Sequence, residues 1–333
     1  MKKVIVTGGS GFVASWVIAE FLTHHYAVAT SLRSLKKAAT IKQGLARYVS
    51  ATDLARLTFF EADLTSADGW EAGLQGADGV IHVASPLGHG TELTEELVSI
   101  AKAGVQHVLS AAHAVGIKRI VLTSSEAAST PASLASGTFD ESFWTQLDNP
   151  ELDAYRISKV EAEKAAWQLA KADALALTTI LPGAIFGPVM TSNLSSNGIL
   201  LQLLKGLPAI PKVPMEVSDV RDLARLHRLA FENDQAIGQR YLAADQSISM
   251  LQIARTYQQS FPQLKLAVRP LPNFATRQLA KVMPSLRALV PMLDRHYHHT
   301  TQAATTQLGW SQHTPVETVV AAAQRLISLG LVE

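Results

Sequence analysis

Short apolar runs alternate with segments of helical spacing through the first half of the chain. The runs are 3–7 (KVIVT), 26–32 (YAVATSL), 57–63 (LTFFEAD), 78–84 (DGVIHVA), 118–125 (KRIVLTSS) and 175–182 (LALTTILP). Between them, helical periodicity covers 11–23, the region up to about 56, 67–74, about 91–115 and about 153–172. Near-continuous apolar strands separated by helices predict a parallel sheet buried on both faces. This is the doubly wound α/β architecture, which binds ligands beyond the carboxyl ends of its strands. After Pro182 the pattern breaks. Prolines cluster at 182, 188, 208, 211 and 214, and again at 262, 270, 272, 284 and 291, which predicts a smaller, irregular C-terminal region. Within it, 216–233 (EVSDVRDLARLHRLAFEN) reads as a strand end and a helix. No internal repeat or low-complexity segment interrupts the chain.

A length of 333 residues suggests about two domains, and a composition 47% hydrophobic and 17% charged can bury a large core. The net charge of +1, without a long basic run, argues against a nucleic-acid partner. There is no cysteine, which excludes disulfides and thiol nucleophiles and is compatible with a cytoplasmic protein. The opening MKKVIVTGGSGF has too short an apolar run for a signal peptide, and no stretch reaches the ~18 uninterrupted apolar residues of a membrane span. Monomer and homodimer both remain open.

Between the first strand and first helix lies Thr7-Gly8-Gly9-Ser10-Gly11-Phe12-Val13-Ala14. Glycines there let the backbone turn tightly and approach a pyrophosphate resting on the helix N-terminus. In a βαβ setting this is a dinucleotide-binding (Rossmann) signature, with Ala14 at the close-packing position. Residues 1–182 are therefore expected to form the nucleotide-binding domain, with 215–245 returning to it. Residues 183–214 and 246–333 are expected to form the substrate-binding region. NAD-binding versions of this fold place an acidic residue near the end of the second strand, whereas NADP-binding versions place an arginine there. Between Glu20 and Asp53 there is no acidic residue, and the strand runs into Ser31-Leu32-Arg33-Ser34-Leu35-Lys36-Lys37. Cations are disfavoured at a helix N-terminus, so a 2′-phosphate bound by Arg33, with Lys37 one turn on, accounts for them. NADP is the expected cofactor.

The segment DAYRISKVEAEKAAW (153–167) puts Tyr155 and Lys159 four apart on a predicted helix capped by Asp153. Ser124 and Ser125 end the strand before it. A carbonyl that accepts hydride develops negative charge on oxygen, which needs a hydrogen-bond donor and then a proton. A free phenol, with a pKa of ~10, is a poor proton donor near neutrality. A neighbouring ammonium favours the phenolate and makes the phenol a better acid. Ser125 would hold the oxygen, Tyr155 would protonate it, and Lys159 would assist Tyr155 and hold the nicotinamide ribose.

Taken together, VTGGSGFVAS, SLRSLKK, EADL (61–64), VIHVASP (80–86), VLTSS (121–125), FDESFW (139–144), YRISK (155–159), ILPGAIFGP (180–188), DVRDLA (219–224) and LGW (308–310) resemble the extended short-chain dehydrogenases/reductases. The narrower resemblance is to the dihydroflavonol-reductase-like group, which includes NADPH-dependent aldehyde and ketone reductases. It implies that Asp63 and Leu64 meet the adenine, and that Val83, Ala84 and Ser85 line the ribose and pyrophosphate. It also implies that Pro182 and Ile185 border the nicotinamide with Ser124, and that Ser196 reaches the phosphates. The implied reaction is reversible reduction of an aldehyde or ketone, with a small hydrophobic carbonyl compound as substrate. Two alternatives stay open: an NAD-dependent sugar-nucleotide epimerase or dehydratase, and a non-catalytic NADP-binding regulator.

Glu126 departs from the group, which carries a small or apolar residue there, and is expected to point away from the site or towards the following loop. Ser129 stands where the flavonoid enzymes carry an amide; with an aromatic content of 6% this argues against a polyphenol. The cluster His296, His298 and His299 is expected in a surface loop or lid, with no metal. Trp144 is expected to pack, and Asp219, Arg221 and Asp222 to cap and pin the helix that follows them.

Overall fold

The computed structural model describes residues 1–86, 94–191, 193–287 and 289–332. The strands are β1 (Lys3–Val6), β2 (Ala27–Leu32), β3 (Leu57–Glu61), β4 (Gly79–His82), β5 (Arg119–Thr123), β6 (Ser136–Phe139) and β7 (Ala176–Leu181). They continue as β8 (Ala184–Phe186), β9 (Ile210–Pro211), β10 (Pro214–Asp219), β11 (Arg240–Leu242), β12 (Ser247–Ser249), β13 (Pro270–Leu271) and β14 (His296–His299). The α-helices are α1 (Phe12–Thr23), α2 (Ala38–Leu45), α3 (Ala51–Leu54), α4 (Trp70–Leu74), α5 (Thr94–Ala114), α6 (Ala154–Ala172) and α7 (Asn197–Lys205). They continue as α8 (Val220–Glu232), α9 (Met250–Ser260), α10 (Asn273–Ala280), α11 (Pro284–Arg287), α12 (Gln302–Leu308) and α13 (Pro315–Ser328).

Seven parallel strands form the central sheet in the order β11-β7-β5-β4-β1-β2-β3. The order reverses between β1 and β4, which opens a crevice at the carboxyl ends of those strands. The apolar runs explain the burial: Val4, Ile5 and Val6 are fully enclosed, as are Val80 and Ile81. One face packs on α1 and α8, where Phe21 and Phe231 meet edge-on with ring centroids 5.7 Å apart. The other face packs on α4, α5 and α6. Asp219 caps α8 by accepting Arg221 N–H at 2.8 Å and pairs with the Arg221 guanidinium at 2.7 Å, and Asp222 receives His313.

The C-terminal region has its own core, in which α7, α9 and α13 close over the three-stranded sheet β12-β10-β8. Two pairs, β13–β9 and β14–β6, complete it. The helix expected up to about residue 56 is split into a 3₁₀ turn, α2 and α3. At the split, α2 presses on Met190, and a Cβ on Gly44 would lie 2.7 Å from the Met190 carbonyl. The histidine cluster differs from expectation in a second way. It is no surface loop but the strand β14, in register with β6 from His296–Ser136 to His299–Phe139. His296 and His298 face outwards while His299 is 1% exposed, the two-residue alternation of a strand with one covered face.

Candidate active site

The turn after β1 is held open by its neighbours. Gly8 has φ +73°, and a Cβ there would lie 2.9 Å from Ala84 Cβ, so only glycine fits. Its N–H goes to Ser31 Oγ at 2.9 Å, and Gly9 N–H goes to Ser31 O at 3.0 Å, pinning the turn to the end of β2. Gly11 caps α1 with no side-chain hydrogen bond and no acidic residue in the first turn. Among the described residues the N–H groups of Phe12 and Val13 have no acceptor. Free N–H groups at the positive end of a helix are what a pyrophosphate requires. Phe12 contributes only backbone here, because its side chain is buried in the C-terminal core. Thr7 is fully buried: its hydroxyl accepts Val83 and Ala84 N–H at 3.0 and 2.9 Å and donates to His82 Nδ1 at 2.9 Å. It orders the turn rather than facing the crevice.

At the end of β2, Arg33 and Lys37 are exposed, and no carboxylate pairs with either among the described residues. The Arg33 charge is close enough to Asp63 to help lower its pKa, after the larger effect of the Thr65 N–H bond. Arg33 and Asp63 therefore sit at one end of the crevice, with Leu64 packed against Gly104 of α5. Ser196 spends its hydroxyl on Ile185 O. Asn193 is the residue that reaches the glycine turn, donating to Ser10 O at 3.1 Å.

The two serines after β5 are differently placed. Ser124 donates its hydroxyl to the buried Glu163 at 2.5 Å. Ser125 caps the 3₁₀ turn 126–129, accepting Ala127 N–H at 3.2 Å. An oxygen that accepts leaves its hydrogen to donate elsewhere. From α6, Lys159 is buried, with Nζ 2.9 Å from Ser85 Oγ and 5.4 Å from the centroid of the half-buried Tyr155 ring. Asp153 caps α6 through Arg156 N–H at 2.8 Å. Ser85, Ser124 and Lys159 line one cavity with His82, Leu64 and Glu163. Pro182 follows β7 and accepts Glu126 N–H at 2.9 Å, and Ile185 lies in β8. Residues 87–93, which continue the segment SPLGH (85–89) expected to border the substrate, lie outside the described residues.

A model of the NAD dependent epimerase/dehydratase family matches residues 4–244. The chain belongs to this family, the extended short-chain dehydrogenases/reductases. It is 32% identical over 286 residues to an anthocyanidin reductase of Vitis vinifera, covering 80% of this chain and 82% of that protein. It is 31% identical over 275 residues to cinnamoyl-CoA reductase CAD2 of Medicago truncatula, covering 79% and 82%. Its fold superposes on Gre2 of Candida albicans in complex with NADPH at a TM-score of 0.81 and 27% identity, covering 98% and 99% of the two chains. The chain is an oxidoreductase, and no described helix is long and apolar enough to cross a membrane.

In this family member two buried ion clusters flank the serines, and both escape a reading of the sequence. Glu163 accepts Ser124, Thr179 Oγ1 at 2.8 Å and Arg240 Nε at 2.9 Å. Arg240 also donates to Glu141 O, Phe143 O and Ala128 O and stacks 3.8 Å from the Trp144 ring centroid, so Trp144 packs as expected. The second cluster gives Glu126 a partner that the sequence did not suggest. Glu126 turns inwards to Arg295 Nη1 at 3.0 Å, while Arg295 Nη2 bonds Glu216. His299 donates Nδ1–H to Glu216 at 2.6 Å and Nε2–H to Ser129 O at 2.8 Å. Burial opposes its charge, but the Glu216 bond and the two carboxylates raise its pKa. Burial pushes the Glu126 carboxyl up. Glu216 is held down despite burial by His299 and Arg295. The ligand atoms of Glu126, Glu216 and His299 converge as a metal site would, but the Arg295 guanidinium already supplies the positive charge there. Ser129 is fully buried, with its hydroxyl on Asp140 O at 3.3 Å, so it cannot read a substrate.

Proposed function

We propose that this protein uses NADPH to reduce an aldehyde or ketone to the alcohol, and runs the reverse oxidation when the alcohol is in excess. The observation that carries the reading is the unequal pair of serines after β5. Ser124 is tied to Glu163, whereas Ser125 keeps a hydrogen for a substrate oxygen. NADPH fits the crevice: the Phe12 and Val13 N–H groups and the start of α1 suit the pyrophosphate, and Arg33 suits the 2′-phosphate. When bound, it supplies the hydride. Ser125 and Tyr155 then hold the oxygen as charge develops, Tyr155 gives it a proton, and Lys159, anchored on Ser85, keeps a positive charge beside the phenol.

The substrate pocket is assigned to the space between Ser85, the 126–145 loop and the region after 183. Phe139, Phe143 and Tyr297 pack edge-on, with centroids 4.9 and 5.9 Å apart, and we assign them to its wall. A small to medium hydrophobic carbonyl compound suits such a wall. The description of the matching family favours a second reading, an NAD-dependent epimerase or dehydratase, but the exposed Arg33 and the lack of an acidic residue on β2 weigh against it. The test is loss of NADPH absorbance with a panel of aldehydes and ketones. Wild type should consume NADPH with at least one of them. Tyr155→Phe should lose about 10²–10⁴-fold in kcat with NADPH binding retained. A variant within threefold of wild type would remove Tyr155 from the role of acid.

A further inference from the structure

Glu126 puts a carboxylate directly after the serine that should hold the reacting oxygen. The two residues are neighbours in the chain, with Cα atoms ~3.8 Å apart, and burial weakens the screening that salt imposes over ~8 Å at physiological strength. The carboxylate is wedged against the turn after β7: Oε2 would lie 2.6 Å from a Cβ on Gly183 and has no hydrogen-bond partner among the described residues. Left bare, it would oppose negative charge developing on a substrate oxygen. The charged groups that face it are Arg295 on the approach to β14, Glu216 on β10 and His299 on β14. Of these only Arg295 touches it, through a side chain that is 4% exposed and stacked 4.2 Å above the Tyr297 ring. Arg295 lies beyond residues 4–244, the span matched by the family model.

We propose that Arg295 is a positioning residue of the reductase site, one that keeps the Glu126 carboxylate neutralised and turned aside so that charge can build on the oxygen held by Ser125. The C-terminal segment thereby completes the electrostatics of a turn far away in sequence. This rests on the assignment of Ser125 given above.

The test is a set of variants assayed for kcat and KM between pH 6 and 9, with NADPH binding and thermal melting as folding controls. A unit charge at about 8 Å in an effective dielectric of about 20 corresponds to roughly 30-fold in rate. Arg295→Met should therefore lose about that factor in kcat at pH 9, with little change in KM for NADPH. The loss should shrink as the pH falls, because burial already raises the carboxyl's pKa and, without Arg295, it takes up a proton more readily and its charge disappears. Adding Glu126→Gln to Arg295→Met should restore most of the loss, and Arg295→Lys, which keeps the charge, should lose no more than about fivefold. A loss that is independent of pH, or a double variant no better than Arg295→Met, overturns the proposal. So does Arg295→Lys falling as far as Arg295→Met, since only an architectural role needs the guanidinium fork. If Arg295→Met does not fold, the comparison of Arg295→Lys with the double variant decides on the same criteria. Ser125→Ala is the separate control: if it retains full activity, the assignment of Ser125 fails, whatever Arg295 does.

Discussion

Two adjacent serines with one hydroxyl each have opposite fates, and the difference is set by what lies one layer behind them. Ser124 gives its hydrogen to a carboxylate that is itself buried and held by Arg240. Ser125 only accepts, from Ala127 N–H. Ser125→Ala should therefore lower kcat more than it raises KM, because the missing bond strengthens as charge develops. Ser124→Ala should do less to kcat. Steady-state kinetics of both variants check the order, and the reverse order would exchange the two roles. At the other end of the crevice, Arg33 is exposed and has no carboxylate partner among the described residues, which leaves it available to a phosphate. Hydrogen bonds to charged groups contribute roughly 1.5–3 kcal/mol. Arg33→Ala should therefore weaken NADPH by about 10- to 150-fold while leaving NADH nearly unchanged. The measurement is kcat/KM for both cofactors with one carbonyl substrate at low salt. Equal losses for both would remove the 2′-phosphate from the account.

At the scale of elements, α6 carries three site residues on one face at four-residue spacing: Tyr155, Lys159 and Glu163. Lys159 and Glu163 line the cavity, and Glu163 also ties the helix to the end of β5, to β7 and to β11 through Ser124, Thr179 and Arg240. Arg240 then fixes the 141–144 loop from beneath. Arg240→Leu leaves Glu163 charged, buried and short of its cation, a change that costs about 3–5 kcal/mol. It should lower the melting temperature and raise KM for the carbonyl substrate as the loop loosens. Glu163→Gln in the same chain should recover part of the stability, because the bare charge is then gone. Calorimetry on the single and double variants tests the coupling, and strictly additive losses would rule it out. These clusters also mark where the sequence stopped being legible. Buried parallel strands announce themselves as apolar runs, so β1, β4, β5 and β7 lie within two residues of their expected ends. Tyr155, Lys159 and Ser125 stand out because their chemistry is unusual at strand and helix ends. Glu163 reads as an ordinary helix-surface glutamate, and Arg295 as an ordinary arginine. Their partners come from other elements, and no local period records a pairing across the fold. The alternation in β14 is in the sequence, but four polar or aromatic residues signal a strand only once β6 lies beside them.

Across the whole molecule, the sheet is bolted at two points by buried neutral imidazoles. His82, at the end of β4, receives the Thr7 hydroxyl, and His227 in α8 accepts Thr123 Oγ1 at 2.7 Å while donating to Leu223 O at 2.7 Å. Burial depresses both, His82 to about 3 and His227 to about 4. In the unfolded chain each would bind a proton near pH 6.5, so acidification favours the unfolded state, which takes up protons the folded state refuses. The stability these groups provide is complete above about pH 6.5 and drains away as the pH falls towards the folded values. His299 works in the opposite sense: its pKa is raised, so its contribution is present in acid and is lost as the pH rises through the folded value. A pH titration of the wild type alone therefore mixes the two signs, and a variant is needed to separate them. For His227, the interval from pH 7 to pH 4.5 corresponds to about 2 kcal/mol of lost stability. His227→Gln replaces the imidazole with an amide that does not titrate. It should lower stability at pH 7, because the bonds to Thr123 and Leu223 are strained or lost. The further loss on going to pH 4.5 should be smaller than in wild type by about 2 kcal/mol. Urea unfolding at the two pH values measures both quantities. If the variant and the wild type lose the same amount between them, His227 is not among the groups through which acid unfolds this protein.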